Sequence, residues 1–446
     1  MALNAEITQK TVAHRGAILY FVTDPGPQDD PGSFVFIEDG ALLVKNGLVA
    51  AVGPAGQLLS VLPETVEVIE HANGILMPGF IDTHIHYPQT DVIGSGGRNL
   101  LEWLEGYTFP AERRFSDIGY ARETAEFFLD ELARNGTTTA LVFCTVHRAS
   151  VEAFFSAARQ RCMRMIAGKV LMDRNCPEYL RDTPSTGEQD SRELLEKWHG
   201  CDRLHYAITP RFAAMSSPEQ LASAGRLASD FPDAYIQSHL AETRDEVAWV
   251  KEIFPDARSY LDVYDRHGLL RDRAVYAHCI YLDRTDRIRM VQSRAAAAFC
   301  PSSNLYLGSG LFDIAATDSA GMRFSLATDV GGGSSFSMLR TMADAYKVAQ
   351  LSGQQLSPLR AFFLATLGGA RILGLEHRVG CFKVGSEADF IVLDLHASEL
   401  IARRTDQSRT LAETLLVLMT LGDDRAIGRT YVLGRQVHAT QPRIAV

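Results

Sequence analysis

The sequence predicts an α/β chain: a (β/α)8 TIM barrel with a small flanking β-sandwich domain built from both chain ends. Three observations carry this. Eight short apolar, β-prone runs alternate with helix-like segments over about 300 residues in the middle of the chain, against a usual barrel size of about 250 with insertions. Both ends are instead rich in short β runs and turn clusters. The polar side chains best suited to chemistry fall at the C-terminal ends of the central runs, where a barrel carries its active site. A doubly wound open sheet alternates in the same way, and periodicity alone leaves it open.

The N-terminal β runs are residues 16–22, 33–38, 41–45, 48–52 and 66–70, separated by Asp24-Pro25-Gly26, Asp39-Gly40 and Asn46-Gly47. The last 70 residues read similarly, with strands within 385–395 and at 430–437. Residues 1–75 and 376–446 are therefore assigned to the small domain and 76–375 to the barrel. Barrel strands are expected at 76–84, 137–143, 165–172, 205–209, 235–239, 274–278, 296–300 and 323–327. Helices are expected at 119–135, 150–161, 190–199, 218–230, 260–267, 283–292 and 311–319, with 337–351 and 358–373 completing the set. In the segment 218–230, Glu219, Leu221, Ala222 and Leu227 show the helical mix of charged and apolar positions.

Composition narrows the function. The 446 residues are 46% hydrophobic and 22% charged, ordinary for a globular protein with a large core. A net charge of −10 argues against nucleic-acid binding, which needs a basic face to displace counterions. No apolar run is long enough to span a bilayer, and residues 1–10 lack a basic-then-apolar signal pattern, so no membrane role is expected. Seven cysteines without a CxxC pair read as reduced thiols in a cytoplasm.

The expected first barrel strand ends in His84-Ile85-His86. Residues i and i+2 of a strand face one side, so both imidazoles can converge on one metal. The fifth strand ends in His239, followed by Glu242; the sixth ends in His278 and the eighth in Asp329. Taken singly, these are ordinary core histidines or a helix-capping aspartate. Four strand ends carrying such residues are hard to explain by packing. Three imidazoles and a carboxylate are a ligand set suited to zinc or iron, whose ion activates a water for attack on an electrophilic carbon. Glu242, just past the strand end, can reach over the site and move the proton. Asp329 can bind the metal and orient the water. His278 is either a ligand or a catalytic proton acceptor. Gly331-Gly332-Gly333-Ser334-Ser335 lacks the lysine of a phosphate loop and reads as a turn that lets backbone approach the site. Residues 94–97 read as a loop, and 89–105 as part of a lid.

The run Met77-Pro78-Gly79-Phe80-Ile81-Asp82-Thr83-His84-Ile85-His86 resembles the signature of the amidohydrolase superfamily, and Gly385-Ser386-Glu387-Ala388-Asp389-Phe390 resembles its C-terminal β-domain strand. His84-Ile85-His86-Tyr87-Pro88-Gln89, Thr209-Pro210-Arg211-Phe212, Cys300-Pro301-Ser302-Ser303-Asn304-Leu305 and Thr328-Asp329-Val330-Gly331-Gly332-Gly333 are similar to the guanine-deaminating branch of that superfamily. The resemblance runs from about residue 30 to 400. It implies a zinc-dependent hydrolysis of guanine to xanthine and ammonia, one ion per chain with iron possible, in a cytoplasmic homodimer. His84, His86, His239 and Asp329 would bind the metal. Glu242 would shuttle the proton, and His278 would orient or activate the water. Gln89 and Arg211 would donate to the carbonyl edge of the base, with Phe212 stacked on its face.

The resemblance departs at Ala213-Ala214-Met215, where the branch has a proline near position 214, and this bears on loop shape and substrate preference. The alternatives are a one-metal deaminase of another purine, pterin or triazine, and a binuclear cyclic-amide hydrolase. The second would use Lys169, on the expected third strand, as a carbamylated bridge between two metals. A catalytically dead scaffold would usually have lost ligands, and all are present here.

Overall fold

The computed structural model describes residues 11–96 and 100–440. The first β runs merge into longer strands: β1 (Thr11–Phe21), β2 (Phe34–Lys45), β3 (Leu48–Pro54) and β4 (Glu67–Pro78). Asp39-Gly40, expected as a turn, lies inside β2. Gly16 and Gly40 face each other beside a register shift, and a Cβ on Gly40 would lie 2.7 Å from Ile18. Glycine there serves close packing across the pair. The reversal between β2 and β3 comes at Asn46-Gly47, both at positive φ, as a tight hairpin requires.

The barrel strands follow as β5 (Phe80–His86), β6 (Thr137–Phe143), β7 (Arg164–Gly168), β8 (Val170–Leu171), β9 (Leu204–Pro210), β10 (Tyr235–Leu240), β11 (Ala274–His278), β12 (Ala296–Phe299) and β13 (Arg323–Leu326). They pair in parallel in the order β13-β12-β11-β10-β9-β7-β6-β5, with β8 also on β9, so β7 and β8 together make one of eight staves. Between β5 and the eighth stave the ring is joined by His86 N to Val330 O (2.8 Å) and Asp329 N to His84 O (3.0 Å). This arrangement is a (β/α)8 barrel, and the open-sheet alternative falls away.

Two staves differ from expectation. The run 76–84 divides at Gly79: residues 76–78 stay in β4 of the other sheet, and the barrel stave runs two residues further, to His86. The run 165–172 breaks at Lys169. Gly168 approaches Ala207 so closely that a Cβ would lie 1.7 Å from its carbonyl oxygen, and Lys169 N turns to the Tyr206 hydroxyl.

The helices expected between staves are present. Pro218–Asp230 is representative: Ser217 caps it by accepting from Gln220 N, and Leu221, Ala224, Leu227 and Ala228 form its buried face. Helices Arg244–Ile253 and Pro301–Tyr306 were not anticipated.

After the barrel come β14 (Phe390–Asp394), β15 (Ile427–Val432) and β16 (Arg435–Ala439). The expected single strand at 430–437 is a hairpin, reversed at Leu433 and Gly434, both at positive φ. With β1–β4 these strands form one seven-stranded sheet, β16-β15-β14-β4-β1-β2-β3. The two chain ends thus meet as expected, but the sandwich is one continuous sheet whose wings share a core. Val44 and Val49 of one wing pack in the same cluster as Phe390 and Tyr431 of the other. The last 70 residues also hold the helices Glu399–Thr405 and Leu411–Leu421, the second packed on the barrel helices Met338–Leu351 and Pro358–Phe363. An apolar run without clear periodicity does not distinguish a strand from a buried helix.

A buried charge cluster ties the sheet to the barrel. Arg203 donates to Glu387 (2.6 and 3.1 Å) and also contacts Asp389, while Arg164 donates to Glu387 (2.9 Å). Removing one partner of a buried pair strands the other charge. Arg203→Ala is therefore expected to lower unfolding free energy by about 3–5 kcal/mol, read by chemical denaturation. A loss near that of an exposed ion pair would mean that Asp389 and Glu387 find other partners.

Candidate active site

At the C-terminal mouth of the barrel, period-two geometry puts Asp82, His84 and His86 of β5 on one face. His239 enters from β10, and Asp329 from the turn after β13. The imidazole Nε2 atoms of His84 and His86 lie 3.1 Å apart, and those of His86 and His239 3.2 Å apart. Asp329 Oδ1 is 3.1 Å from His84 Nε2 and 3.4 Å from His86 Nε2. All four ligand atoms lie within 4.8 Å of one another.

This donor set fits a metal ion. His239 Nδ1 is 2.7 Å from the Arg211 carbonyl, which can only accept, so Nδ1 carries the proton and Nε2 presents a lone pair. Burial pushes the His86 pKa down to about 3 and holds that of His239 well below its ordinary value, helped by the neighbouring imidazoles, so both rings are neutral and free to offer a lone pair. Burial opposes ionisation of Asp329, yet His84 and His86 hold its pKa well below the usual carboxylate range. Converging lone pairs and a carboxylate answer to a cation. Phe143 closes the floor, its ring centroid 4.6–5.0 Å from those of His84, His86 and His239. Asp82 accepts from the backbone of His84 (3.2 Å) and Thr328 (3.1 Å), locking the first stave to the last.

Glu242 and His278 sit beside this cluster. His278 Nε2 is 3.4 Å from Glu242 Oε2 and 3.8 Å from Asp329 Oδ2, and its Nδ1 is 2.9 Å from the Asn304 amide oxygen. Ser309 donates to Glu242 Oε1 (2.8 Å). Burial and the Asp329 carboxylate raise the Glu242 pKa to about 8. Glu246 accepts from the Glu242 backbone N–H (2.8 Å) and the Tyr260 hydroxyl (2.7 Å), fixing the turn that presents Glu242. His278, Asp329 and Ala241, next to Glu242, all have positive φ, a backbone cost of order 1–3 kcal/mol each that the surrounding bonds must sustain.

The remaining expected residues meet in the same pocket, lined by Gln89, Arg211 and Phe212 together with Trp103, Leu104, Glu242 and His278. Gln89 Oε1 accepts from Gly331 N (3.2 Å), and a Cβ on Gly331 would lie 2.6 Å from Gln89 O, so the glycine run does allow close approach. Ala213–Met215 forms a buried 3-10 turn with Ala214 O bonded to Asn175 (2.6 Å), giving the loop its shape without proline. Of the expected lid, Gln89 in the 3-10 turn Tyr87–Val92, Leu100 and Trp103 in the helix Leu100–Trp103, and Leu104 line the pocket; residues 97–99 lie outside the described residues. Lys169 instead pairs with Asp182 and is not among the residues that line the pocket, so the bridging group of a binuclear site is otherwise engaged.

Sequence reasoning missed Glu112, Asn304, Ser309 and Glu246 as members of this site. Two had a readable local signal: Glu246 in the Thr243-x-x-Glu246 capping box, and Asn304 inside the Cys300–Leu305 motif, where no role was assigned to it. Glu112 reaches the site from a segment far from every motif.

Comparison with known proteins places the whole chain beside a known family. A model of the amidohydrolase family matches residues 75–437. The chain is 49% identical over 437 residues to a guanine deaminase of Escherichia coli K12, covering 98% of this chain and 99% of that one. A solved structure of E. coli guanine deaminase superposes with a TM-score of 0.95 over 96% of this chain and all of that chain. A guanine deaminase structure from C. acetobutylicum with guanine bound in its active site has 30% identity and a TM-score of 0.86, covering 96% of this chain and all of that chain.

Proposed function

The chain belongs to the amidohydrolase family, and we infer that it is a hydrolase that deaminates guanine to xanthine and ammonia. The structural observation that carries this is one pocket holding the His84/His86/His239/Asp329 cluster, Glu242 with His278, and the donors Gln89 and Arg211. We read the ion as zinc, with iron the alternative, one per chain; bound there, it would supply the Lewis acidity that makes water a nucleophile near neutrality. A homodimer and a cytoplasmic place in purine breakdown belong to the same reading; the seven free cysteines agree with a reducing compartment. Among the described residues, no helix is long and apolar enough to cross a membrane.

Gln89 and Arg211 present N–H groups to the carbonyl edge of guanine, and Phe212 packs against the ring. This points the amino-bearing carbon at the metal cluster. His278 and Asp329 orient the attacking water. Glu242 takes its proton and passes it to the adjacent ring nitrogen. The C–N bond then breaks, the amino group leaves as ammonia with a proton returned through Glu242, and the water oxygen stays as the new carbonyl of xanthine.

Metal content by elemental analysis, run beside ammonia release from guanine and from a panel of purines, pterins and triazines, tests this reading. About one zinc or iron per chain with guanine preferred supports it. Two metals per chain, or preference for another ring, would overturn it. Arg211→Ala is expected to raise KM for guanine by tenfold or more, about 1.4 kcal/mol or above, with metal content unchanged. Equal loss of metal and guanine use would make Arg211 structural.

A further inference from the structure

We propose that Glu112 is a positioning residue that sets the charge of the substrate pocket, so that the pocket takes a neutral base and releases the more acidic product. This rests on the guanine-deaminating reading above. Both Glu112 oxygens accept from Arg211 Nη1, at 2.7 and 2.9 Å, and Glu112 is fully buried. On the same helix, Phe109–Arg113, the Phe109 ring packs 5.5 Å from the guanidinium carbon. Gln89 Nε2 lies 3.4 Å from Glu112 Oε1. One carboxylate therefore orients both substrate donors, and it acts through them, since Arg211 and Gln89 line the pocket and Glu112 does not.

The charge consequence follows from the chemistry of the two bases. Guanine is neutral near pH 7. Xanthine carries a carbonyl where guanine carries the amino group, so its ring N–H ionises more readily. A buried guanidinium without a counter-charge would favour the xanthine anion over neutral guanine. Paired with Glu112, Arg211 keeps its N–H donors while the pair is neutral overall. The result is recognition by hydrogen bonding without a standing preference for the ionised product.

The test measures the inhibition constant of xanthine divided by KM for guanine, on the full-length, metal-loaded enzyme, as pH rises through the first ionisation of xanthine. In the wild type the ratio stays flat or rises; a fall would overturn the proposal without any variant. Glu112→Gln is expected to keep its metal, raise KM for guanine, and show a ratio that falls about tenfold across the same pH range. Glu112→Asp keeps the charge, and is expected to raise KM with the ratio flat. A folded, metal-loaded Glu112→Gln enzyme with a ratio as flat as the wild type would overturn the charge role and leave Glu112 structural. Absence of ammonia release from guanine by the wild type would fail the functional reading instead. Calorimetric binding of xanthine across pH would then still decide the charge assignment, by the same signs.

Discussion

Glu242→Ala is expected to keep its metal and lose at least about a thousandfold in kcat, the upper part of the range for a positioned proton-transfer group. The geometry gives the reason. Oε1 is held by Ser309 at 2.8 Å, and Oε2 faces His278 Nε2 at 3.4 Å, so the carboxyl is fixed beside the donor cluster at the pocket wall. Glu242 is outside the four-donor cluster, and its removal leaves every proposed ligand in place. Burial and Asp329 push its pKa up, which means that the fold holds this carboxyl at a cost. The variant should therefore be no less stable to heat than the wild type, a combination of lost turnover and kept stability that a structural residue would not show. Glu242→Gln, which retains the shape but cannot accept a proton, should lose nearly as much. Near wild-type turnover in either variant, with metal content unchanged, would end the shuttle assignment.

Loss of the metal is the second large effect. His86 contacts His84, His239 and Asp329 at 3.1–3.4 Å, so His86→Ala removes the centre of the donor set. Metal content should fall well below one ion per chain and ammonia release to background. Chelation of the wild type should do the same reversibly, with activity and melting temperature restored together by added zinc. The stability change follows from mass action: an ion present at a thousand times its Kd stabilises the fold by about 4 kcal/mol. Removing the ion leaves three imidazole lone pairs facing one another in a buried site. A chelated protein with unchanged melting temperature and full turnover would show that the cluster holds no functional ion. Two ions per chain with one lost on changing Lys169 would return the binuclear arrangement, although Lys169 pairs with Asp182 in this structure.

What the sequence determined by itself was local. Strand and helix periodicity placed the eight staves, because apolar spacing is a property of neighbours in the chain. The positions of His84, His86, His239, His278 and Asp329 at strand ends were enough to name the metal and catalytic candidates, because a barrel gathers those ends at one mouth. Boundaries were less legible. Gly79 separates two strands of different sheets inside one apolar run, and Gly168 breaks another through contact with Ala207, a residue 39 positions away. The helix Leu411–Leu421 reads as a largely apolar run without clear periodicity, since both of the helices that it packs on lie elsewhere in the chain. The tertiary structure alone decided the partners of the site residues. Ser309 on Glu242, Asn304 on His278 and Glu112 on Arg211 are contacts across 67, 26 and 99 positions, and no local pattern encodes them. Ligand types can be read from a sequence because they follow side-chain chemistry. The charge and orientation of a pocket follow from which buried groups face each other, and only folding brings those groups together.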